Sequence, residues 1–144
     1  MLVASKYEEL IAPTIQDFVN LGDDTFTKDD VLAFEFRLLA ALDFDVAVPT
    51  MYRFLERYHS LVSCHEDDVN RSYKVFLLAT YLADLCLHEL KLNKWKPSLL
   101  ASAILYLTHK MLKVADPWPA EIIKQSGNSE LLVRDCARDI CPLL

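Results

Sequence analysis

Residues 27–42 read TKDDVLAFEFRLLAAL, and this stretch predicts an amphipathic helix. Thr27 can cap its N-terminus, and Asp29 and Asp30 lie in the first turn, where the helix dipole favours negative charge. At about 100° per residue, one side of the helix carries an apolar arc made of Val31, Leu32, Leu38, Leu39 and Leu42, flanked by Phe34 and Phe36. Glu35 lies at the centre of this arc. Because a carboxylate is costly to bury without a partner, we expect a paired group beside Glu35.

The composition predicts a soluble, globular chain of one or two small domains. The chain has 144 residues, of which 53% are hydrophobic and 25% are charged, so it is long enough and apolar enough to form a core. It contains two glycines and no run in which apolar and polar residues alternate, so we expect an all-α fold.

Charge, hydropathy and cysteine spacing indicate which kinds of partner the chain can bind and in which cellular compartment it is expected. The net charge is −6 and the pI is near 5.1, whereas general nucleic-acid binding needs a surplus of positive charge. No apolar run reaches the roughly 18 residues of a membrane span, and the chain does not open on a secretion signal, so we expect no membrane partner. The absence of a CxxC spacing favours a reduced intracellular protein with small buried thiols, which are Cys64, Cys86, Cys136 and Cys141.

Helical periodicity recurs along the whole chain. The pattern predicts helices at residues 1–10, 14–20, 27–42, 50–61, 68–90, 97–113, 120–125 and from Asn128 or Ser129 to about 140. In the first helix, Lys6 lies at the centre of an otherwise apolar face, as Glu35 does in the third. The helix at 68–90 is so apolar beyond Tyr73 that we expect it to be nearly central.

A faint internal repeat relates the two ends of the chain. LVAS at 2–5 matches LLAS at 99–102, and the helices at 14–20 and 27–42 match those at 120–125 and 128–140. The second copy has two further helices in front, at 49–61 and 68–90. The first copy has no counterpart of them, so we expect that two helices were lost or that a partner covers the surface they would occupy.

Three segments carry a resemblance to a known family. ASKYEE at 4–9, DDTFTKDDVLAFE at 23–35 and LDFDVAVPT at 42–50 resemble the core of a cyclin, closest to the mitotic A/B type. PSLLASAILYL at 97–107 and PWPAEIIKQSG at 117–127 extend the resemblance. It implies an all-α, cyclin-like helical bundle. Residues 1–47 would form the C-terminal part of a first cyclin fold, with about three helices, and residues 48–144 a complete second five-helix cyclin fold.

The resemblance also implies a function and a set of contacts. In cyclins, the lysine and the glutamate that match Lys6 and Glu35 reach the C-helix region of a partner kinase. Apolar contacts around them are implied for four residues, Tyr7, Leu39, Phe44 and Val46. The chain would then be the regulatory subunit of a cyclin-dependent protein kinase, as a heterodimer in nucleus and cytoplasm. It would not be an enzyme, and no cofactor, metal, nucleic acid, membrane or small-molecule ligand is expected.

Other interpretations remain open from the residues alone. Lys6 and Glu35 can pair with each other, or with Glu8 and Arg37, as part of an ordinary helical bundle. The chain can be an adaptor or truncated cyclin that binds without activating a kinase. A cyclin fold of the general-transcription-factor type and a small all-α enzyme are the remaining alternatives. The four histidines share no helical face, which argues against a metal site.

Overall fold

The computed structural model describes residues 1–23, 25–63 and 69–144. Asp24 and residues 64–68, which include Cys64 and the first residue of the predicted helix at 68–90, lie outside the described residues. All regular elements in the described ranges are helices, so the all-α prediction is confirmed. The chain divides into two compact units, Met1–Val48 and Pro49–Leu144, which we call unit 1 and unit 2.

The described residues of unit 1 form three helices, α1 (Leu2–Glu8), α2 (Ile15–Leu21) and α3 (Lys28–Ala41). The predicted cap at Thr27 is confirmed, because its hydroxyl accepts a hydrogen bond from the Asp30 amide. The Asp30 carboxylate in turn accepts a hydrogen bond from the Thr27 backbone amide, at 2.9 Å. These reciprocal bonds form a capping box, and the hydroxyl and amide of Thr27 lower the pKa of Asp30. Thr14 and Asp17 start α2 in the same way.

The apolar arc of α3 is largely exposed within the described structure. No residue of α3 is buried, and Phe34 and Phe36 expose more than half of their surface. Glu35, Val31 and Leu39 are the partly covered members of the helix. Amphipathic periodicity predicted the helix correctly, but this face keeps a large solvent-accessible apolar area.

In unit 2, the part of the chain that the structure describes forms five α-helices: α4 (Met51–Ser63), α5 (Val69–Leu87), α6 (Pro97–Met111), α7 (Ala120–Ser126) and α8 (Glu130–Ile140). Two short 3₁₀ helices, Leu90–Lys94 and Cys141–Leu143, precede α6 and follow α8. The last predicted helix begins after Ser129, which caps it. The alternative cap, Asn128, instead donates a hydrogen bond from its side-chain amide to the Ser102 hydroxyl at 2.9 Å.

The central helix of unit 2 is α6, and not α5 as the sequence predicted. Every residue from Leu99 to His109 is buried, and α6 packs against α4, α5 and α8. By contrast, α5 buries one face and leaves Leu77 and Tyr81 about half exposed. Both helices are rich in apolar residues, so apolar content does not show which one is central. The small side chains at 101–103 favour α6, because they let neighbouring helices approach its axis closely.

Polar side chains hold the first 3₁₀ helix against α8. The indole nitrogen of Trp95 donates to the Asp139 carboxylate at 2.9 Å, and Lys94 forms an ion pair with the same group at 2.7 Å. The bond from Lys94, followed by that from Trp95, lowers the pKa of Asp139. The carboxylate therefore joins two segments that lie 45 positions apart in the sequence.

Truncation in the centre of α6 tests this packing. We expect Leu105→Ala to lower the free energy of unfolding by about 2–5 kcal/mol, because the fully buried side chain leaves a cavity. Leu131→Ala, at an exposed leucine of α8, is the matched control and should change it by less than about 0.5 kcal/mol. Urea unfolding followed by circular dichroism measures both. Equal losses would contradict the central position of α6.

Titration of Asp139 provides a pH test. Since the folded-state pKa lies below the ordinary value of 3.8, the carboxylate stabilises the fold above about pH 3.8, and this contribution is lost as pH falls through the folded-state pKa. We therefore expect Asp139→Asn to lower the melting temperature at pH 7, and the difference from wild type to shrink below pH 3.8. Asp135→Asn, whose carboxylate pairs within its own helix, should show a smaller difference at pH 7.

Candidate functional site

Lys6 and Glu35 form an ion pair that joins α1 to α3 in unit 1. The lysine Nζ lies 2.6 Å from Oε1 and 2.9 Å from Oε2 of the glutamate, so both carboxylate oxygens accept from one ammonium group. The Glu35 side chain is 14% exposed and the Lys6 side chain 44%. The group that the sequence required beside Glu35 is therefore Lys6, and this is the mutual pairing that the residues alone left open as an alternative. In the part of the chain that the structure describes, no ion pair joins either residue to Glu8 or Arg37.

Local structure fixes both members of the pair. On α1, Leu2 and Ser5 face inward, and the Ser5 hydroxyl donates to the Leu2 carbonyl at 3.0 Å. This buried face leaves Lys6, one position further, at the edge of the covered surface. On α3, the Thr27–Asp30 capping box sets the start of the helix less than two turns before Glu35.

The end of α3 positions two more of the predicted residues. Asp43 and Phe44 adopt left-handed backbone conformations, with φ of 52° and 56°. The Phe44 amide donates to the Leu39 carbonyl at 2.9 Å, and the Asp43 amide donates to the Ala40 carbonyl at 3.2 Å. These two bonds form a Schellman motif, which satisfies the last carbonyls of the helix. A left-handed phenylalanine is uncommon and strained, so its placement needs this support.

The six predicted contact residues all lie in unit 1, and the structure places them as follows. Lys6 and Glu35 form the pair described above, and Leu39 and Phe44 are joined through the Schellman motif. Tyr7 follows Lys6 on α1 and exposes 55% of its surface, while Phe44 exposes 61%. Leu39 and Val46 are partly buried, and the Val46 amide donates to the Phe44 carbonyl at 3.1 Å.

A cleft in unit 1 was not predicted from the sequence. It has a volume of about 530 Å³, and its apolar walls include Leu2, Phe18, Val31 and Phe34. Glu35 also lines it. The signal in the sequence was the breadth of the apolar arc on α3, which has more apolar side chains than α1 and α2 cover.

A polar cluster in unit 2 was also missed. His59, Ser63 and Ser72 link the end of α4 to the start of α5, with 2.7 Å between the two serine hydroxyl oxygens. The Nε2 atom of His59 lies 3.0 Å from the Ser72 carbonyl oxygen, which can only accept. This contact requires a proton on Nε2, which therefore cannot act as the general base; the other ring nitrogen, Nδ1, lies 3.4 Å from the Ser63 hydroxyl and does not reach Ser72. This geometry argues against a serine-hydrolase site here.

The thiols and the helix lengths add two further observations. Burial raises the pKa of Cys86 to about 11 and that of Cys136 to about 12, so neither thiol is a ready nucleophile. Within the described ranges, none of the helices combines the length and the apolar content needed to cross a membrane.

Two family models match the chain. The model described as "Cyclin, N-terminal domain" matches residues 1–47, and the one described as "Cyclin, C-terminal domain" matches residues 49–144. Together they cover all but one residue of the chain.

Curated relatives agree with the family models. The chain is similar to G2/mitotic-specific cyclin-A of Spisula solidissima, with 37% identity over 97% of this chain and 32% of the relative. It is 35% identical to cyclin-A2 of Homo sapiens, over 97% of this chain and 31% of the relative. It is 32% identical to cyclin-B2-1 of Arabidopsis thaliana, over 99% of this chain and 32% of the relative. The chain thus spans about a third of the length of these relatives.

A double-mutant cycle tests the pair on which the candidate site is built. We expect Lys6→Met and Glu35→Gln to be coupled by about 0.5–1 kcal/mol at low salt, and by less at 1 M salt, because the ammonium group is partly solvated. Hydrogen exchange of the α1 and α3 amides reports the stability of unit 1. The more exposed Arg53–Glu56 pair of α4 is the control and should show weaker coupling. Strictly additive effects of the two changes would contradict the pairing.

Proposed function

This chain belongs to the cyclin family, and we propose that it acts as a regulatory subunit of a cyclin-dependent protein kinase in cell-cycle control. The two family models and the A- and B-type relatives support a cyclin-type regulatory role. Cyclins are regulatory subunits and not enzymes, so the chemistry in this proposal belongs to the kinase. The proposal includes a heterodimer located in nucleus and cytoplasm.

The Lys6–Glu35 pair is the observation that carries the proposal. A lysine ammonium has three donors, and each carboxylate oxygen has more than one lone pair, so the pair keeps hydrogen-bonding capacity after its two internal bonds. Free backbone carbonyl and amide groups beside a kinase C-helix are suitable partners for that remaining capacity. Because the two side chains already hold each other in position, ordering them for a partner costs less conformational entropy.

Apolar side chains of unit 1 complete the proposed contact surface. Tyr7 and Phe44 are exposed, and Leu39 and Val46 are partly exposed. Interfaces commonly combine aromatic anchors with a few desolvated, charge-assisted hydrogen bonds. The Schellman motif after α3 supports the Phe44 backbone, which favours a preformed anchor over one that must be ordered on binding.

The proposed effect on the kinase is allosteric. A surface that binds the C-helix region better in its active position shifts the kinase population toward that position. The shift seats the Lys–Glu ion pair of the kinase and helps to order its activation loop. Only the difference in binding energy between the two kinase states contributes to activation, so a tight contact alone does not imply it.

A second candidate is an adaptor that binds a kinase without activating it. The observation that favours it is the open apolar cleft in unit 1, together with an α3 helix that buries none of its residues. Such a surface leaves unit 1 with little packing to hold the contact residues rigid. A histone-phosphorylation assay on the same samples distinguishes the two candidates, because only the regulatory subunit raises kinase activity.

Exchanging the two charges tests the proposed contact. The variant Lys6→Glu/Glu35→Lys keeps an ion pair within the chain but inverts the charges offered to a partner. In titrations against a panel of cyclin-dependent kinases, we expect at least a tenfold loss of affinity, equivalent to about 1.4 kcal/mol or more. Hydrogen exchange should show that α1 and α3 remain protected, so that the loss reports on the interface and not on folding.

The matched control for that test lies on α4. Arg53→Glu/Glu56→Arg exchanges the charges of an exposed ion pair in unit 2, and kinase affinity should stay within about twofold of wild type. If the exchange at 6 and 35 leaves affinity unchanged for a kinase that binds the wild-type chain, the proposed contact is wrong.

A further inference from the structure

A stripe of exposed apolar side chains runs along α5 in unit 2. Its members are spaced four residues apart, each is at least half exposed, and they are Val69, Tyr73, Leu77 and Tyr81. Side chains with this spacing lie on one face of a helix, so they form a continuous ridge about 18 Å long. Tyrosine and leucine ridges of this kind are typical of protein interaction surfaces.

Two exposed charges on α5 lie at equal distances from position 79. Lys74 and Asp84 are exposed, lie five residues on either side of position 79, and take part in none of the ion pairs formed among the described residues. If two copies of α5 pack antiparallel and centred at that level, Lys74 of each copy comes level with the partner's Asp84, within reach of its long side chain. The same register brings Leu77 opposite the partner's Tyr81. Each contact occurs twice, as a two-fold interface requires.

The register also matches an exposed leucine to a cleft. Beside the ridge, between α4 and α5, lies a cleft of about 460 Å³ whose walls include His59, Val69 and Phe76. At the other end of α5, Leu87 is 71% exposed and lies on the same side of the helix as Val69 and Phe76. In the antiparallel arrangement, Leu87 comes level with position 71 of the other copy, beside this cleft. The apolar side chain of one copy thus faces the cleft of the other.

We propose that α5 is an interface through which two copies of this chain associate, antiparallel and centred at the level of residue 79. The self-complementary order of charge, apolar residue and cleft along one helix favours a second copy over an unrelated partner. The ridge contains none of the residues proposed to contact a kinase, so this inference and the proposed function stand independently. The small apolar ridge indicates a weak, reversible dimer.

Sedimentation equilibrium on the whole chain tests the interface. From low micromolar to about 0.5 mM, which spans the affinities of weak interfaces, we expect the mass to rise from 16.5 kDa toward twice that value. Lys74→Glu and Asp84→Lys should each raise the dissociation constant about tenfold or more, because each places two like-charge contacts in the interface. The double variant Lys74→Glu/Asp84→Lys should restore association, since it rebuilds both ion pairs in reverse. Leu87→Ser should also weaken association.

Matched controls separate this surface from others. Lys124→Glu on α7 and Leu131→Ser on α8 change exposed residues of the same types and should leave the dissociation constant within about twofold. A chain that stays monomeric throughout the range would overturn the proposal. It would equally be overturned by association that Lys74→Glu and Asp84→Lys leave unchanged, or by a double variant that fails to associate.

Discussion

Unit 2 depends on the burial of α6 on every side. Complete burial of a helix requires that its polar atoms find partners inside the protein. The Ser102 hydroxyl meets Asn128, Thr108 donates to the Ile104 carbonyl, and the His109 ring lies 3.0 Å from the Pro117 carbonyl. In the described part of the chain, no buried side-chain nitrogen or oxygen lacks a partner. The neighbours of α6 are therefore specified by hydrogen bonds as well as by packing.

Unit 1 is held together in a different way. Two of its helices, α2 and α3, begin at capping boxes. Among the described residues, one ion pair joins α1 to α3, and α3 buries no residue. Capping bonds and a partly solvated ion pair are modest sources of stability compared with a buried core. Phe34 and Phe36 of α3 stay exposed in the described structure, so covering them would add hydrophobic stabilisation to unit 1.

Much of the local structure was predictable. The caps at Thr14 and Thr27 depend on a residue three positions away, and short polar side chains followed by acidic ones signal them directly. Periodicity located the eight α-helices of the described ranges to within a few residues. It did not predict how deeply each helix is buried. The apolar sequence of 68–90 predicted a nearly central helix, whereas α5 exposes Tyr81 and Leu77. Periodicity shows which face of a single helix is apolar, but it does not show how many other helices pack against that helix.

The sequence by itself determined that the chain is all-α, where its helices start, that it resembles cyclins, and that Glu35 needs a partner. Only the tertiary structure shows that this partner is Lys6. Lys6 lies 29 residues from Glu35 in the sequence, and the nearby Arg37 was an equally possible partner from the sequence alone. The tertiary structure also decided that α6 is the central helix, and it formed the cleft in unit 1 and the His59 cluster. The physical reason is the range of the interactions. Caps and periodicity act between residues within one or two helical turns, whereas burial and ion pairs between helices depend on how separate elements pack.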